Sequence, residues 1–296
     1  MNNNTKPGSQ LLVLLAVTLV CFIAATLLIV ALSAIGIDAA SGWPLYVSQT
    51  LSQMIMFLLP VYIVVRLYHS DNPRLYMRAD FGRRAWLLSL VGMAAMLLMA
   101  PVNDWLTTWN DSWTFGRFDA PLRDMQQQTE AVSAQLLGGS DAGSLLLNLL
   151  VVALVPAVCE EVFFRAGMQN LLQRWFTGGS VDGRKAGSVA AIVVTAAVFS
   201  LAHGELYSFM PRFVMGILLG ALYVYGGSIV VNVAAHFINN AVVVLIYWLV
   251  ARGVLDIDPS APMNIPWLLT TCCTVASLAL CWAFFSKDVK KMKISS

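Results

Sequence analysis

Charge is scarce in this sequence: only 11% of its 296 residues are Asp, Glu, Lys or Arg, against 58% hydrophobic ones. A mean hydropathy of +0.73 leaves too little polar surface for a water-soluble domain, and places the chain in the membrane class. Its five cysteines, Cys21, Cys159, Cys272, Cys273 and Cys281, lie inside apolar runs without metal-site spacing, which argues against a disulfide framework and a cysteine zinc site. Histidine is rarer still, with three residues, and no His-Glu-x-x-His helix marks a zinc peptidase. Inverted repeats and paired broken helices, the marks of many transporters, are also missing. No nucleic acid is expected among the partners.

Long apolar runs are what the chain has instead. A helix needs roughly 20 apolar residues to cross the hydrocarbon, and candidates lie near 11–36, 46–66, 85–102, 144–162, 187–203, 211–227, 229–251 and 265–285. The expected fold is therefore all-α, a polytopic helical membrane protein of about eight transmembrane helices. The first run exceeds the roughly 7–15 apolar residues of a cleaved signal peptide, so it is expected to remain as an anchor. Three parts follow: 1–143 with N-terminal transmembrane helices and a long outer loop, 144–250 as a catalytic core, and 251–296 with the last helix and a basic tail.

Basic residues mark the cytoplasmic side of a membrane protein. Arg66, Arg74, Arg78, Arg83 and Arg84 fill one loop, Arg174, Arg184 and Lys185 another, and Lys287, Lys290, Lys291 and Lys293 the tail. Segment 103–143 is acidic, with Asp104, Asp111, Asp119, Asp124, Glu130 and Asp141 against Arg117 and Arg123. An even number of spans with both termini in the cytoplasm satisfies all of these, and a bacterial inner membrane is the expected location. Trp105, Trp109, Trp113 and Phe115 in the outer segment suit an interfacial belt, a lid helix or plain packing.

Ionisable residues inside apolar spans cost about 2.5–3.5 kcal/mol each at a helix centre, so they call for a reason. Glu160, Glu161 and Arg165 crowd one such stretch. Glu161 and Arg165 stand at i and i+4 with the acid first, the favourable order for an ion pair. Glu160 points about 100° away, which leaves a carboxylate free to meet groups from other helices, as a general base requires. Pro156, one turn earlier, removes a backbone donor and tends to open space beside the acid. A purely structural Glu–Arg clamp is the alternative reading of this stretch.

His203 follows Phe199 at i+4, and Asn232, His236 and Asn240 form a polar stripe of the same spacing, with Asn239 beside it. Interhelical hydrogen bonds worth about 0.6 kcal/mol each would also account for such a stripe. Together, a free carboxylate, two imidazoles and a carboxamide are the inventory for hydrolysing an amide with water. Glu160 assisted by His203 would be the base, and His236 with Asn240 the oxyanion donors. No cofactor is expected; zinc held by Glu160, His203 and His236 is the less supported alternative.

The order and spacing of Glu160-Glu161-x-x-x-Arg165, Phe199-x-x-x-His203 and His236-x-x-x-Asn240 resemble the signature of the CPBP family, also called Abi or CAAX prenyl protease type II. The likeness covers about 144 to 250. It implies an intramembrane endopeptidase with Glu160, His203, His236 and Asn240 as catalytic residues, with Glu161 and Arg165 supporting the site; Phe199 and Asn232 are added to that support on their helical positions. Expected partners are membrane lipid and a peptide or protein substrate, either a lipidated protein or a leader peptide. A proton-coupled membrane transporter and a non-catalytic membrane scaffold or immunity protein are the competing classes. The closing Lys293-Ile294-Ser295-Ser296 is no prenylation motif, so anchoring through the spans alone is expected.

Depth poses one difficulty. Glu160 comes late in an outward-to-inward run and His203 late in an inward-to-outward one, so simple full crossings would separate them by up to about half a bilayer. A fourth helix continuing towards Trp175, or a fifth span that stops short, would bring them level. The site is expected to open towards the cytoplasm.

Overall fold

The computed structural model describes residues 5–39, 41–178 and 184–292. Its helices are α1 (Pro7–Ala34), α2 (Gly42–Tyr68), α3 (Pro73–Met77), α4 (Arg83–Leu98), α5 (Ala100–Asp111), α6 (Asp119–Leu137), α7 (Ala142–Thr177), α8 (Arg184–Leu201), α9 (Leu206–Gly226), α10 (Ile229–Ala251) and α11 (Trp267–Met292). No strand occurs among the described residues.

Six helices are long and apolar enough to cross a bilayer: α1, α2, α7, α9, α10 and the part of α11 from Trp267 to Phe284. The pair α4 and α5 is bent by 40° and makes a seventh span if taken as one, while Ala186–Leu201 of α8 is apolar but shorter. These segments occupy the eight apolar runs of the sequence, and the chain is an all-α integral membrane protein. Of the basic residues used to orient it, the side chains of Arg184, Lys185, Lys287, Lys290, Lys291 and Lys293 lie outside the described residues.

Several boundaries differ from the sequence reading, each for a physical reason. The run at 85–102 is broken because Pro101, in the first turn of α5, has no N–H to continue the ladder. The expected loop at 103–143 is largely helical, formed by the end of α5 and all of α6. Beyond the apolar stretch, α7 continues to Thr177 as a 36-residue helix, because Leu171 and Leu172 bury one face while Arg174 and Trp175 stay outside. By contrast, α8 stops at Leu201, and Gly204 (φ +74°) turns the chain through a conformation that glycine adopts without strain.

Those two features, the alternatives that the sequence offered, remove the depth difficulty. Glu160 stands 17 residues before the end of α7, and His203 stands 19 residues after the start of α8. At 1.5 Å per residue both lie roughly 25–30 Å from the ends that face one another in sequence, so an antiparallel pair brings them level.

Small residues set how closely the helices approach, since lipid supplies no hydrophobic drive between them. A Cβ on Gly216 of α9 would come within 3.0 Å of Ala196 on α8, and one on Gly220 within 2.9 Å of both Ile192 and Gln169. Likewise, Gly92 of α4 lies against Val231 of α10, at 3.2 Å from such a Cβ. α10 thereby packs along both α4 and α7, and α8 packs along both α7 and α9. Phe163, Phe164, Phe199, Leu219 and Val231 form the buried apolar cluster beside the acids.

Candidate active site

The acids sit on a regular turn of α7, Val155–Glu161, between two π-helical segments, Leu149–Leu154 and Val162–Gln169. Pro156 has no N–H to donate, and the wider turn before it lets the helix pass the proline without ending. π turns inside α-helices are frequent at functional sites.

Glu161 is the hub of the buried network. Its carboxylate accepts from Arg165 Nε at 3.0 Å, His236 Nδ1 at 3.0 Å and Asn232 Nδ2 at 3.2 Å, and Glu161, Arg165 and Asn232 are all fully buried. Asn232 also donates to the Leu219 carbonyl at 2.6 Å. Arg165 reaches Gln169 Oε1 at 3.5 Å, and Gln169 Nε2 donates to the Gly220 carbonyl at 2.9 Å. The guanidinium also lies 5.4 Å from the centre of the Phe199 ring, within cation–π range. The expected i, i+4 pair is therefore present, and α10 and α9 complete it.

Glu160 faces elsewhere, as its 100° offset requires. It is 6% exposed, and its Oε2 has no hydrogen-bond partner. That atom lies 4.0 Å from His203 Nε2 and 3.9 Å from His236 Nε2. His203 Nδ1 lies 2.8 Å from the Phe199 carbonyl, and His236 Nδ1 meets the Glu161 carboxylate. Both of those oxygens accept only, so each Nδ1 carries the proton, and a neutral ring then presents its Nε2 lone pair towards Glu160. With both rings neutral, three acceptor atoms border one gap that is too wide for direct hydrogen bonds and suits a bridging water.

Of the residues singled out in the sequence, Glu160, Glu161, Arg165, Phe199, His203, Asn232 and His236 come together. Asn240 does not join their network among the described residues; its amide oxygen accepts from Asn239 Nδ2 at 3.2 Å, one turn along α10. No group of three or more His, Cys, Asp or Glu side chains among the described residues has the geometry to hold a metal ion.

Several members were missed in the sequence. Gln169 continues the 161, 165, 169 progression and was legible from it. Glu205, two residues beyond His203, is ion-paired with Arg212 on α9, an ionisable residue at the edge of an apolar run that the cost argument also covers.

The turn that carries His203 is held from the acidic segment. Asn110, fully buried, donates through Nδ2 to the Leu206 carbonyl at 3.0 Å and accepts through Oδ1 from the Met210 N–H at 2.7 Å. Tyr207 donates its hydroxyl to Asp119 at 2.5 Å, and the Arg123 guanidinium lies 3.5 Å from the centre of its ring. The tryptophans continue the contact: Trp105 stacks on Trp109, then Trp109, Trp113 and Phe115 meet edge to face, and Phe115 ends edge-on to Tyr207 at 5.2 Å. The turn after α8 therefore hangs from the end of α5 and the start of α6, while Glu160 stands near the middle of α7, between Ala142 and Thr177.

Asn110→Asp keeps the size and the Met210 acceptor but sets an oxygen against the Leu206 carbonyl. The His203 turn is expected to move by about 1 Å, a displacement that costs a reaction at a positioned group about 10²-fold, with helix content by circular dichroism unchanged. Full activity in this variant would show that the clamp does not position His203.

A helical membrane bundle enclosing an unpaired carboxylate between two imidazoles defines a class: membrane proteins with a buried acid–base centre. Residues 142–242 match the family described as type II CAAX prenyl endopeptidase Rce1-like, consistent with the CPBP resemblance of the three motifs, all of which fall inside this segment. The matched segment is roughly one third of the chain and supports a membrane protease-like function. No curated protein and no solved structure matches the chain.

Proposed function

We propose that the chain is an intramembrane endopeptidase that cleaves a peptide bond with a water molecule activated by Glu160. The observation that carries this reading is the three-acceptor gap. A water there donates its hydrogens to Glu160 Oε2 and to an imidazole Nε2, which leaves an oxygen lone pair free to attack a carbonyl carbon. Glu160 takes the proton as the water oxygen bonds to that carbon, and the proton then passes to the leaving amine. His203 shares the base role. His236, held by Glu161, is positioned to receive a proton and then stabilise the oxyanion, and Asn240 joins it once substrate draws its amide away from Asn239.

The substrate is a peptide or protein segment at membrane depth, a lipidated C-terminus or a leader peptide. The arginine-rich segments lie in the cytoplasm, in a bacterial inner membrane with both termini inside, as the positive-inside rule favours.

Terminal proteomics of membranes from cells carrying the wild type or Glu160→Ala tests the reading. New peptide termini present only with the wild type are the expected result; identical sets of termini would overturn it. No step of this reaction calls on a metal, so such cleavage is expected to persist in excess strong chelator. Loss of cleavage that returns with added zinc would replace this mechanism by zinc ligation through Glu160, His203 and His236.

A further inference from the structure

Far from the acids, at the first turn of α1, two cavities share a pair of cations. One, of about 800 Å³, is the more polar and is lined by residues that include Lys6, Gln10, His69, Asp71, Arg78 and Arg174. The other, of about 790 Å³, runs over Lys6, Gly8, Leu11, Leu12, Arg174 and Trp175. Lys6 and Arg174 belong to both. Neither is ion-paired with a carboxylate among the described residues, and the polar lining carries three cations against the one acid, Asp71.

The walls are built rather than incidental. A Cβ on Gly8 would lie 3.2 Å from the Trp175 indole, so the missing side chain lets this ring close the space against α1. His69 donates from Nε2 to Gln10 Oε1 at 2.8 Å and stacks on Tyr76 at 3.9 Å. Burial, and next the charge of Arg174, bring the His69 imidazole down to about 4, so it enters as a neutral ring. Tyr76 is nine-tenths buried, lines the polar cavity, and has a hydroxyl with no hydrogen-bond partner. From the second cavity, Leu12, Leu15 and Leu19 continue along one exposed face of α1.

We propose that this is a docking site for a membrane phospholipid with an anionic headgroup. The phosphate lies between Lys6 and Arg174, the headgroup occupies the polar cavity, and an acyl chain follows Leu11 and Leu12 along α1. Charge complementarity selects the headgroup, as basic pockets beside membrane helices do. The adjoining leucine face selects a lipid over free phosphate, which would leave that face without an occupant. Trp175 at the junction suits the interface between headgroup and hydrocarbon.

The full chain, purified in neutral detergent, would be titrated with dioleoyl phosphatidylglycerol and with dioleoyl phosphatidylcholine, and bound lipid counted by native mass spectrometry. Preference for phosphatidylglycerol is expected. Lys6→Gln should weaken its binding about fivefold, and Lys6→Gln with Arg174→Gln about thirtyfold, with phosphatidylcholine unchanged. Equal binding of the two lipids by the wild type overturns the proposal, as does a double variant that keeps the preference. Competition by millimolar inorganic phosphate would identify a free-phosphate site and also overturn it. Should the double variant fail to fold, Lys6→Gln alone decides, because Lys6 is an exposed side chain ahead of α1. None of these residues touches the acid–imidazole centre, so the result is independent of the peptidase reading.

Discussion

Glu160→Gln is expected to lower cleavage by about 10²–10⁴-fold, the range a positioned general base contributes, while the protein remains folded in the membrane. The amide matches the carboxylate in shape, so packing around the 6%-exposed side chain is preserved. What disappears is the ability to accept a proton from water. An amide nitrogen turned towards His203 and His236 would moreover replace an acceptor at the gap by a donor, so that a water there could no longer give it a proton. The measurement is single-turnover cleavage of a peptide identified from the wild-type-specific termini, alongside a thermal melt in detergent. Cleavage within about tenfold of wild type would remove Glu160 as the base; a collapsed melt would show that its role is structural.

Arg165→Leu is expected to have the largest effect on the fold. It leaves the Glu161 carboxylate buried without its cation, and losing one partner of a buried pair costs about 3–5 kcal/mol. Domains have only about 5–15 kcal/mol in total. A sharply lower melting temperature and little recoverable protein should follow. Replacing both partners, Glu161→Gln with Arg165→Met, removes the two charges together and should return stability to within about 1–2 kcal/mol of wild type, since desolvating the pair offsets most of its attraction. That double variant should nevertheless be inactive, because the amide it places beside His236 Nδ1 no longer supplies a carboxylate there. A melt of Arg165→Leu equal to wild type would contradict the buried network around Glu161.

The local part of this site was legible in the sequence because helical spacing alone generates it. Glu161 with Arg165, Phe199 with His203, and Asn232 with His236 are all i, i+4 pairs, and each pair shares a face in the structure. The eight apolar runs were equally legible, since bilayer thickness dictates their length. The continuation of α7 towards Trp175 and the early stop of α8 were legible as the two ways to level Glu160 with His203, and the structure has both; a hydropathy count alone does not register the amphipathic turn at Leu171–Trp175. Asn110 was invisible for another reason. Its partners lie 96 and 100 residues away, and a lone Asn near the end of an apolar run carries no periodic signal. Asn240 shows the opposite limit, since its spacing fits the motif while its amide is engaged by a neighbour.

The suspension of the His203 turn from Asn110 and Asp119 also divides the centre between two supports: His203 follows the segment that joins α5 to α6, whereas Glu160 stays with α7. Whatever displaces that segment therefore changes the spacing of imidazole and carboxylate while the Glu161 network holds still.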